Sequence, residues 1–277
     1  MSNFSVVLTE GTVIPGEGYL SDTPVLELHA GTQPDLFLRW NAVPFDVAAV
    51  DVVLHLHGFS RSGGAMPLSE KVPRSGLDLS RRTRPTLALL PRGNWLRYSW
   101  YDFPALLAAG VDRLIDYGLE RFAAALPAGR TEPLVMDRFV LTAHSGGGMP
   151  AIDAIAGSRR PPDELHVFDG LYGRDPATGD PMRGLETVEQ WLGERIAAEP
   201  ARQGALRIVY IDQQTGAFSR KVGELIAIHL AAAEPTVAAT LLRRYRVERS
   251  LVQHARIAER CGPDLLAAAD IEFDWSR

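Results

Sequence analysis

The first part of this chain consists of short apolar runs separated by turn residues. Later in the chain, longer runs rich in Ala and Leu alternate with short apolar runs. Runs of about four to eight apolar and β-branched residues are typical of strands, and longer amphipathic runs are typical of helices. Before residue 45 the pattern predicts only strands, at 6–9, 25–29 and 36–40. From residue 50 it predicts strands at 51–57, 86–90, 139–142, 165–168, 206–211 and 241–247, and helices at 103–126, 149–156, 186–198, 219–233 and 255–269.

This order of elements predicts an α/β protein with a mostly parallel, doubly wound sheet. No stretch has the composition of a linker, so we expect a single domain over residues 1–277, with antiparallel strands in about the first 45 residues and the core from about residue 50. Such sheets bind their ligands at the carboxyl ends of the strands. Small and polar residues stand at those ends, among them His57, Ser145, Asp169 and Asp212.

The composition narrows the classes of function. With 277 residues, 46% of them apolar and 23% charged, the chain has the make-up of an ordinary globular protein. A net charge of −5 favours neither nucleic acid nor an anionic membrane as a partner. The one cysteine, Cys261, excludes an intrachain disulfide and a zinc–thiolate cluster. The N-terminus lacks the pattern of a secretory signal and no apolar run approaches ~18 residues, so we expect a cytoplasmic protein without a transmembrane helix.

One strand-to-helix junction has the pattern of a nucleophile elbow. The strand at 139–142 is followed by Ala-His-Ser-Gly-Gly at 143–147 and then by a helical run. In such an elbow a tight, strained turn lifts the Ser hydroxyl above the edge of the sheet, and the residues two before and two after it are small. Ala143 and Gly147 meet that need, although Gly is usual at the first place. A Gly-rich turn with an incidental serine is the alternative, so the rest of the chain must decide.

Three further features stand in the right order around the elbow. His57-Gly58 follows an early strand, aspartates end two strands beyond Ser145, and a histidine lies near the C-terminus. On these residues, from about position 50 to the end, the chain resembles the α/β-hydrolase superfamily, whose triad runs Ser…Asp…His. The resemblance implies an α/β-hydrolase fold of about eight strands with helices on both faces. It also implies a serine nucleophile, a histidine base, an aspartate that orients the base, and no cofactor.

Elimination among the seven histidines favours His254 as the base. In the superfamily the base follows the last strand, and only His229 and His254 lie beyond the strand that ends at Asp212. His229 falls within a predicted amphipathic helix and is expected to pack in or beside the core. His254 falls in a predicted loop, from which an imidazole can reach the elbow. His144, next to the serine, is expected to point elsewhere and to be structural.

Two aspartates compete for the orienting role. The superfamily acid usually lies several residues past the later of the two strands, where this chain has Thr-Gly at 215–216 and no carboxylate. Asp212 comes too early for that pattern. Asp169 ends the preceding strand, which is the position used by some lipase-like members, and Gly170 would let its loop open toward His254. We therefore favour Asp169 and keep Asp212 as the alternative acid.

The loop after the strand at 51–57 is the expected source of one oxyanion donor. In the superfamily this loop supplies a backbone N–H, here that of Phe59 or Ser60, which would act with the N–H of Gly146. His55 and His57 face the same side of their strand and would offer two metal ligands. No further ligand follows at a matching spacing, so we expect no metal.

The segment 94–103 is rich in aromatic residues and follows a strand end. It predicts either a wall or lid over an apolar acyl or aryl pocket, or a part of the core. Arg92, on the same loop, could meet an acidic group of a substrate, but we expect it to be a solvated surface residue.

Together these features predict a serine hydrolase that cleaves a carboxylic ester, or a related acyl bond, of a small-molecule substrate through an acyl-enzyme. Amidase or peptidase activity and acyl transfer stay open on the same residues. A binding protein that kept the fold without catalysis is the alternative of another class.

Overall fold

The computed structural model describes residues 4–21, 34–59, 67–95, 101–126, 132–174 and 181–275. Its strands are β1 Leu8–Thr9, β2 Thr12–Val13, β3 Gly16–Leu20, β4 Leu36–Trp40, β5 Val43–Pro44, β6 Ala49–Leu56, β7 Thr86–Pro91, β8 Asn94–Trp95, β9 Tyr101–Asp102, β10 Val135–His144, β11 Glu164–Phe168, β12 Ala205–Tyr210 and β13 Tyr245–Arg249. Its α-helices are α1 Leu68–Lys71, α2 Pro104–Ala125, α3 Gly148–Gly157, α4 Leu185–Ile196, α5 Gly216–Ala232, α6 Pro235–Leu241 and α7 Ile257–Ala267. The predicted strand at 25–29 lies outside the described residues.

In the described part of the chain, eight strands form the main sheet, in the order β13-β12-β11-β10-β6-β7-β4-β3. From β13 to β7 all neighbours are parallel, and β4 and β3 are added antiparallel at one edge. From β6, in the middle of the sheet, the chain adds β7 on one side and then β10 to β13 on the other side, which is the doubly wound arrangement. The predicted mostly parallel, doubly wound α/β sheet is confirmed.

Helices cover both faces of this sheet because successive side chains of each central strand are apolar and point to opposite sides. On β6, Val52 and Leu54 belong to a core that also contains residues of α2, α3, α4 and α5. Val53, between them, belongs to a second core with Leu68 of α1 and Leu266 of α7. The carboxyl ends of the parallel strands therefore form one polar edge between two apolar layers.

The first strand of the main sheet, β3, was not predicted, because its glycines hide it. A Cβ on Gly16 would lie 2.7 Å from the Trp40 ring, and one on Gly18 would lie 2.4 Å from Cβ of Phe4. Glycine inside a strand commonly marks such a close approach. The space beside these two glycines is filled by the side chains of Trp40 and Phe4. The strand therefore lacks the alternation of its own side chains from which a strand is predicted.

The last strand is displaced from its predicted position at 241–247. Residues up to Leu241 form α6, with Pro235 at its first position and with the Glu234 carboxylate accepting the N–H groups of Thr236 and Val237. Proline at the start and an acceptor at the cap are both helix-starting signals. The strand β13 therefore begins only at Tyr245.

Helix α2 matches the predicted helix at 103–126, but it is broken at Gly110, whose φ is 76°. That angle is outside the right-handed helical region and is open to glycine without a steric cost. Across the described ranges, no helix combines the length and the apolar character that crossing a membrane requires.

Candidate active site

Ser145 lies in the turn between β10 and α3, and its backbone is strained. Its φ of 50° falls in the left-handed region, which costs a non-glycine residue about 1–3 kcal/mol. Small neighbours make the turn possible. Ala143 is fully buried, and a Cβ on Gly147 would lie 2.0 Å from the carbonyl oxygen of Leu56. This is the strained strand-to-helix turn that the sequence predicts, with its serine at the carboxyl edge of the sheet.

Three side chains from separate segments form one hydrogen-bonded chain at this edge. His254, just beyond β13, has Nε2 2.8 Å from Ser145 Oγ and Nδ1 2.6 Å from Asp169 Oδ2. A carboxylate can only accept, so the imidazole proton lies on Nδ1 and Nε2 is left to accept from the Ser145 hydroxyl. An imidazole held in this way can take the serine proton as the hydroxyl attacks an electrophile.

Hydrogen bonds stabilise the charged form of the Asp169 carboxylate. Its Oδ1 accepts hydrogen bonds from the Ile211 N–H, at 3.0 Å, and from the Thr215 hydroxyl. Burial raises the pKa of Asp169, but the hydrogen bonds from His254, Thr215 and Ile211 outweigh it and bring the pKa below its ordinary value. The carboxylate is therefore ionised at neutral pH and can only accept hydrogen bonds from the imidazole that it faces.

The alternative acid Asp212, and His229, the other histidine beyond the Asp212 strand, have different partners in the structure. The Asp212 carboxylate pairs with Arg220, and with Arg249 Nε at 3.7 Å. His229, on α5, packs against α4, where a Cβ on Gly193 would lie 2.9 Å from its ring. The geometry thus brings Ser145 together with the favoured histidine and the favoured aspartate.

The His144 side chain contacts the backbone of His254. Its Nε2 lies 2.8 Å from the carbonyl oxygen of His254, and the two rings are 4.9 Å apart. Burial, together with the nearby His254, lowers the pKa of His144 to about 4. The ring is therefore neutral at pH 7, with its proton on Nε2, because a carbonyl oxygen can only accept. Nothing in the sequence around position 144 indicates that this side chain contacts the backbone of His254.

A tyrosine hydroxyl also reaches the serine, and sequence reasoning missed it. Tyr172 Oη lies 3.0 Å from Ser145 Oγ. The single proton of Ser145 is donated to His254, so Tyr172 must be the donor of this second bond. Burial raises the pKa of Tyr172, which keeps its hydroxyl protonated at neutral pH. The only sequence signal was a phenol in the same loop as Asp169.

The loop after β6 passes close over the serine. A Cβ on Gly58 would lie 2.8 Å from Ser145 Cβ, so only glycine leaves room for this approach. The predicted donor Phe59 follows directly, with its side chain exposed. The predicted donor Ser60 lies outside the described residues. Gly146, the other predicted donor, lies within the 3₁₀ turn Ser145–Gly147 that follows β10.

The aromatic segment is divided between a hairpin and the core. Strands β8 and β9 pair antiparallel, and β9 lies against the turn that contains Ser145. Residues 96–100, which carry part of the predicted wall or lid, lie outside the described residues. Phe103 is fully buried, and its ring meets the edge of the His57 ring at 5.2 Å. Phe103 is thus a core residue that supports the floor of the site.

The expectation for Arg92 is wrong, because its side chain is buried. It forms an ion pair of 2.9 Å with Asp35, which is also buried. A buried charge needs such a partner. Asp35 directly precedes β4 and is far from Arg92 in the sequence.

His55 on β6 and His57 just after that strand both bond to other parts of the protein. His55 Nδ1 lies 2.8 Å from the Thr142 hydroxyl, and His57 Nε2 accepts the Gly93 N–H at 2.9 Å. Among the residues that the structure describes, no group of three or more His, Cys, Asp or Glu side chains is placed to hold a metal ion.

No family model and no curated protein matches the sequence. Solved structures do match it. An S-formylglutathione hydrolase from Agrobacterium tumefaciens is 13% identical, with 98% of this chain and 99% of that chain covered at a TM-score of 0.49. The siderophore hydrolase EstA from Aspergillus nidulans is 11% identical, with 96% and 97% covered at a TM-score of 0.45. A thioesterase domain from the curacin biosynthetic pathway is 11% identical, with 92% and 99% covered at a TM-score of 0.39.

These identities and TM-scores are too low to support a conclusion. The fold is assigned instead from the strand order of the sheet and the turn at Ser145. The sheet has six parallel strands with an antiparallel pair at one edge, and a strained serine turn follows its central strand β10. With this strand order and this turn, the chain has the α/β-hydrolase fold, as its sequence predicts.

Proposed function

We propose that this protein is a serine hydrolase that cleaves a carboxylic ester, or a related acyl bond, of a small-molecule substrate. The observation that carries the proposal is the continuous chain of hydrogen bonds from Asp169 through His254 to Ser145, with steps of 2.6 and 2.8 Å. Both distances are in the range in which a general base can serve a nucleophile. The strained backbone at the serine supports the same role, since strain of this kind clusters at functional sites.

In this reaction Ser145 Oγ forms a bond to the carbonyl carbon while its proton passes to His254 Nε2. The π electrons of the carbonyl move onto its oxygen and produce an oxyanion. The Asp169 carboxylate stabilises the imidazolium that has formed. Collapse of the intermediate breaks the bond to the leaving alcohol, which takes the proton from Nε2. A water molecule then repeats the attack on the acyl-enzyme, with His254 as base, and releases the acid.

The oxyanion needs hydrogen-bond donors that are in place before the reaction begins. We assign this role to the N–H of Gly146 and to that of Phe59, with Ser60 as the alternative in the loop after β6. Gly58 supports the assignment, because its backbone lies against Ser145 and carries the loop over the nucleophile. Removal of one such donor typically lowers kcat by about 10²–10³-fold.

Labelling with a fluorophosphonate tests the proposal without knowledge of the substrate. The reagent is expected to modify the native protein once, at Ser145, as read by mass spectrometry of the digested protein. Ser145→Ala is expected to abolish labelling and ester hydrolysis together. The matched control is Ser80→Ala, which removes an exposed serine and is expected to change neither. Labelling that survives in Ser145→Ala would contradict the assignment of the nucleophile.

A further inference from the structure

A buried lysine contacts the loop after β6, which carries the proposed oxyanion donor Phe59. The chain has only two lysines among its 29 lysine and arginine residues, Lys71 and Lys221. Lys71, the last residue of α1, is 8% exposed, and its Nζ lies 2.6 Å from the carbonyl oxygen of Gly58. In the described part of the chain, no carboxylate lies within ion-pair distance of this ammonium. Burying such a charge is costly, so its placement calls for a function.

The same carbonyl oxygen accepts a second hydrogen bond. His57 Nδ1 lies 3.0 Å from it. Because His57 Nε2 accepts the Gly93 N–H, the imidazole proton must be on Nδ1, and Nδ1 is the donor. Burial and the charge of Lys71 lower the pKa of His57 to about 3, so the ring stays neutral. The Gly58 carbonyl is therefore held between one neutral donor and one ammonium.

The consequence falls on the next N–H along the chain. A trans peptide unit is planar, and its C=O and N–H point in opposite directions. Donors that hold the Gly58 carbonyl on one side thus turn the Phe59 N–H to the other side. The unit that is held lies against the nucleophile, since a Cβ on Gly58 would be 2.8 Å from Ser145 Cβ.

We propose that Lys71 is a positioning residue for the oxyanion site: its ammonium holds and polarises the peptide between Gly58 and Phe59, so that the Phe59 N–H is aimed at the oxyanion. This inference rests on the proposed function. A cation on the carbonyl oxygen withdraws electrons from the amide and strengthens its N–H as a donor, as in any chain of polarised hydrogen bonds. Lys71 would act through the peptide and would not touch the substrate.

The charge of this lysine depends on pH within the working range of enzymes. Burial lowers the pKa of Lys71 to about 8, against the raising effect of the Glu70 carboxylate and with a lowering contribution from Arg74. The titratable groups that face it from the neighbouring strands are histidines. Burial lowers the pKa of His55 well below its ordinary value, and the pKa values of His57 and His144 lie at about 3 and 4.

These histidines are therefore neutral over the range in which Lys71 titrates. The ammonium of Lys71 is complete well below pH 8, so its contribution to stabilising the oxyanion is complete there; it falls by half near pH 8 and is lost at higher pH. An alkaline fall in kcat is expected for the native enzyme.

The test compares kcat and KM for p-nitrophenyl acetate between pH 6 and 10 in four proteins: native, Lys71→Met, Lys71→Arg and Lys221→Met. We expect Lys71→Met to lower kcat at least about tenfold at pH 7 with little change in KM, and to lose the alkaline fall. Lys71→Arg keeps its charge and should move the fall to higher pH. Lys221→Met removes the other, half-exposed lysine and should behave as the native protein.

Three outcomes overturn the inference: native kcat in a folded Lys71→Met, an unchanged alkaline fall in Lys71→Arg, or an equal loss in Lys221→Met. If Lys71→Met does not fold, the rate of fluorophosphonate labelling of the native and Lys71→Arg proteins against pH gives the same comparison. Failure of the proposed function is separate, because it appears as hydrolysis or labelling that persists in Ser145→Ala.

Discussion

Replacement of Asp169 by asparagine tests the hydrogen bonds that link Asp169, His254 and Ser145. The test is sharp because the partners of Asp169 fix the orientation of the new amide. In the native protein Asp169 Oδ1 accepts the Ile211 N–H and the Thr215 hydroxyl. Of the two ends of an asparagine amide, only the carbonyl oxygen can accept these bonds. The NH₂ group must therefore take the place of Oδ2, which lies 2.6 Å from His254 Nδ1.

An amide NH₂ at that place donates, and it forces His254 Nδ1 to accept. The ring proton then moves to Nε2, the atom that faces Ser145 Oγ at 2.8 Å. In this tautomer the imidazole cannot take the serine proton. The variant also lacks the negative charge that stabilises the imidazolium. A change of this kind lowers kcat on the order of 10⁴-fold, which corresponds to about 5 kcal/mol of activation free energy.

Asp212→Asn is the matched control, since it makes the same chemical change at the other strand-end aspartate. Asp212 is partly exposed and pairs with Arg220 and Arg249 on the surface. Such pairs are worth about 0–1 kcal/mol, so we expect kcat to change by less than about fivefold. Initial rates with p-nitrophenyl acetate at pH 7, with thermal melts of both variants, make the comparison. A larger loss in Asp212→Asn, or a loss below tenfold in a folded Asp169→Asn, refutes the reasoning.

Two further substitutions probe the turn and its surroundings. Tyr172→Phe removes the hydroxyl that donates to the serine, and because such a bond contributes about 0.5–1.5 kcal/mol we expect kcat/KM to fall by about two- to tenfold; an unchanged or higher rate would mean that the bond acts only in the resting enzyme. Gly147→Ala places a Cβ 2.0 Å from the Leu56 carbonyl oxygen, so we expect a loss of at least about 1–3 kcal/mol in the free energy of unfolding, measured by thermal melting. Gly157→Ala, whose Cβ would meet nothing within 4 Å, is its control, and equal melting of both variants would contradict the steric account.

The amino-acid pattern is enough to predict the architecture and the position of the serine. Both depend on local pattern: apolar strands that end in small residues, helices between them, and Ala143 and Gly147 around Ser145. The resemblance to the α/β-hydrolase superfamily, together with the order of residues in the chain, then favoured His254 as the base and Asp169 as the acid. These three side chains lie in one hydrogen-bonded chain in the structure.

The residues that surround these three side chains are brought there by tertiary packing. His144 bonds a carbonyl 110 residues away, and Arg92 finds its carboxylate 57 residues away. Lys71 meets the carbonyl of Gly58 only because α1 folds back onto the end of β6. Periodicity reports which face of an element is apolar, but it carries no information about which polar atoms meet once the elements pack. Burial of a charged or polar side chain depends on such a distant partner, and so the supporting residues of the site appear only in the folded chain.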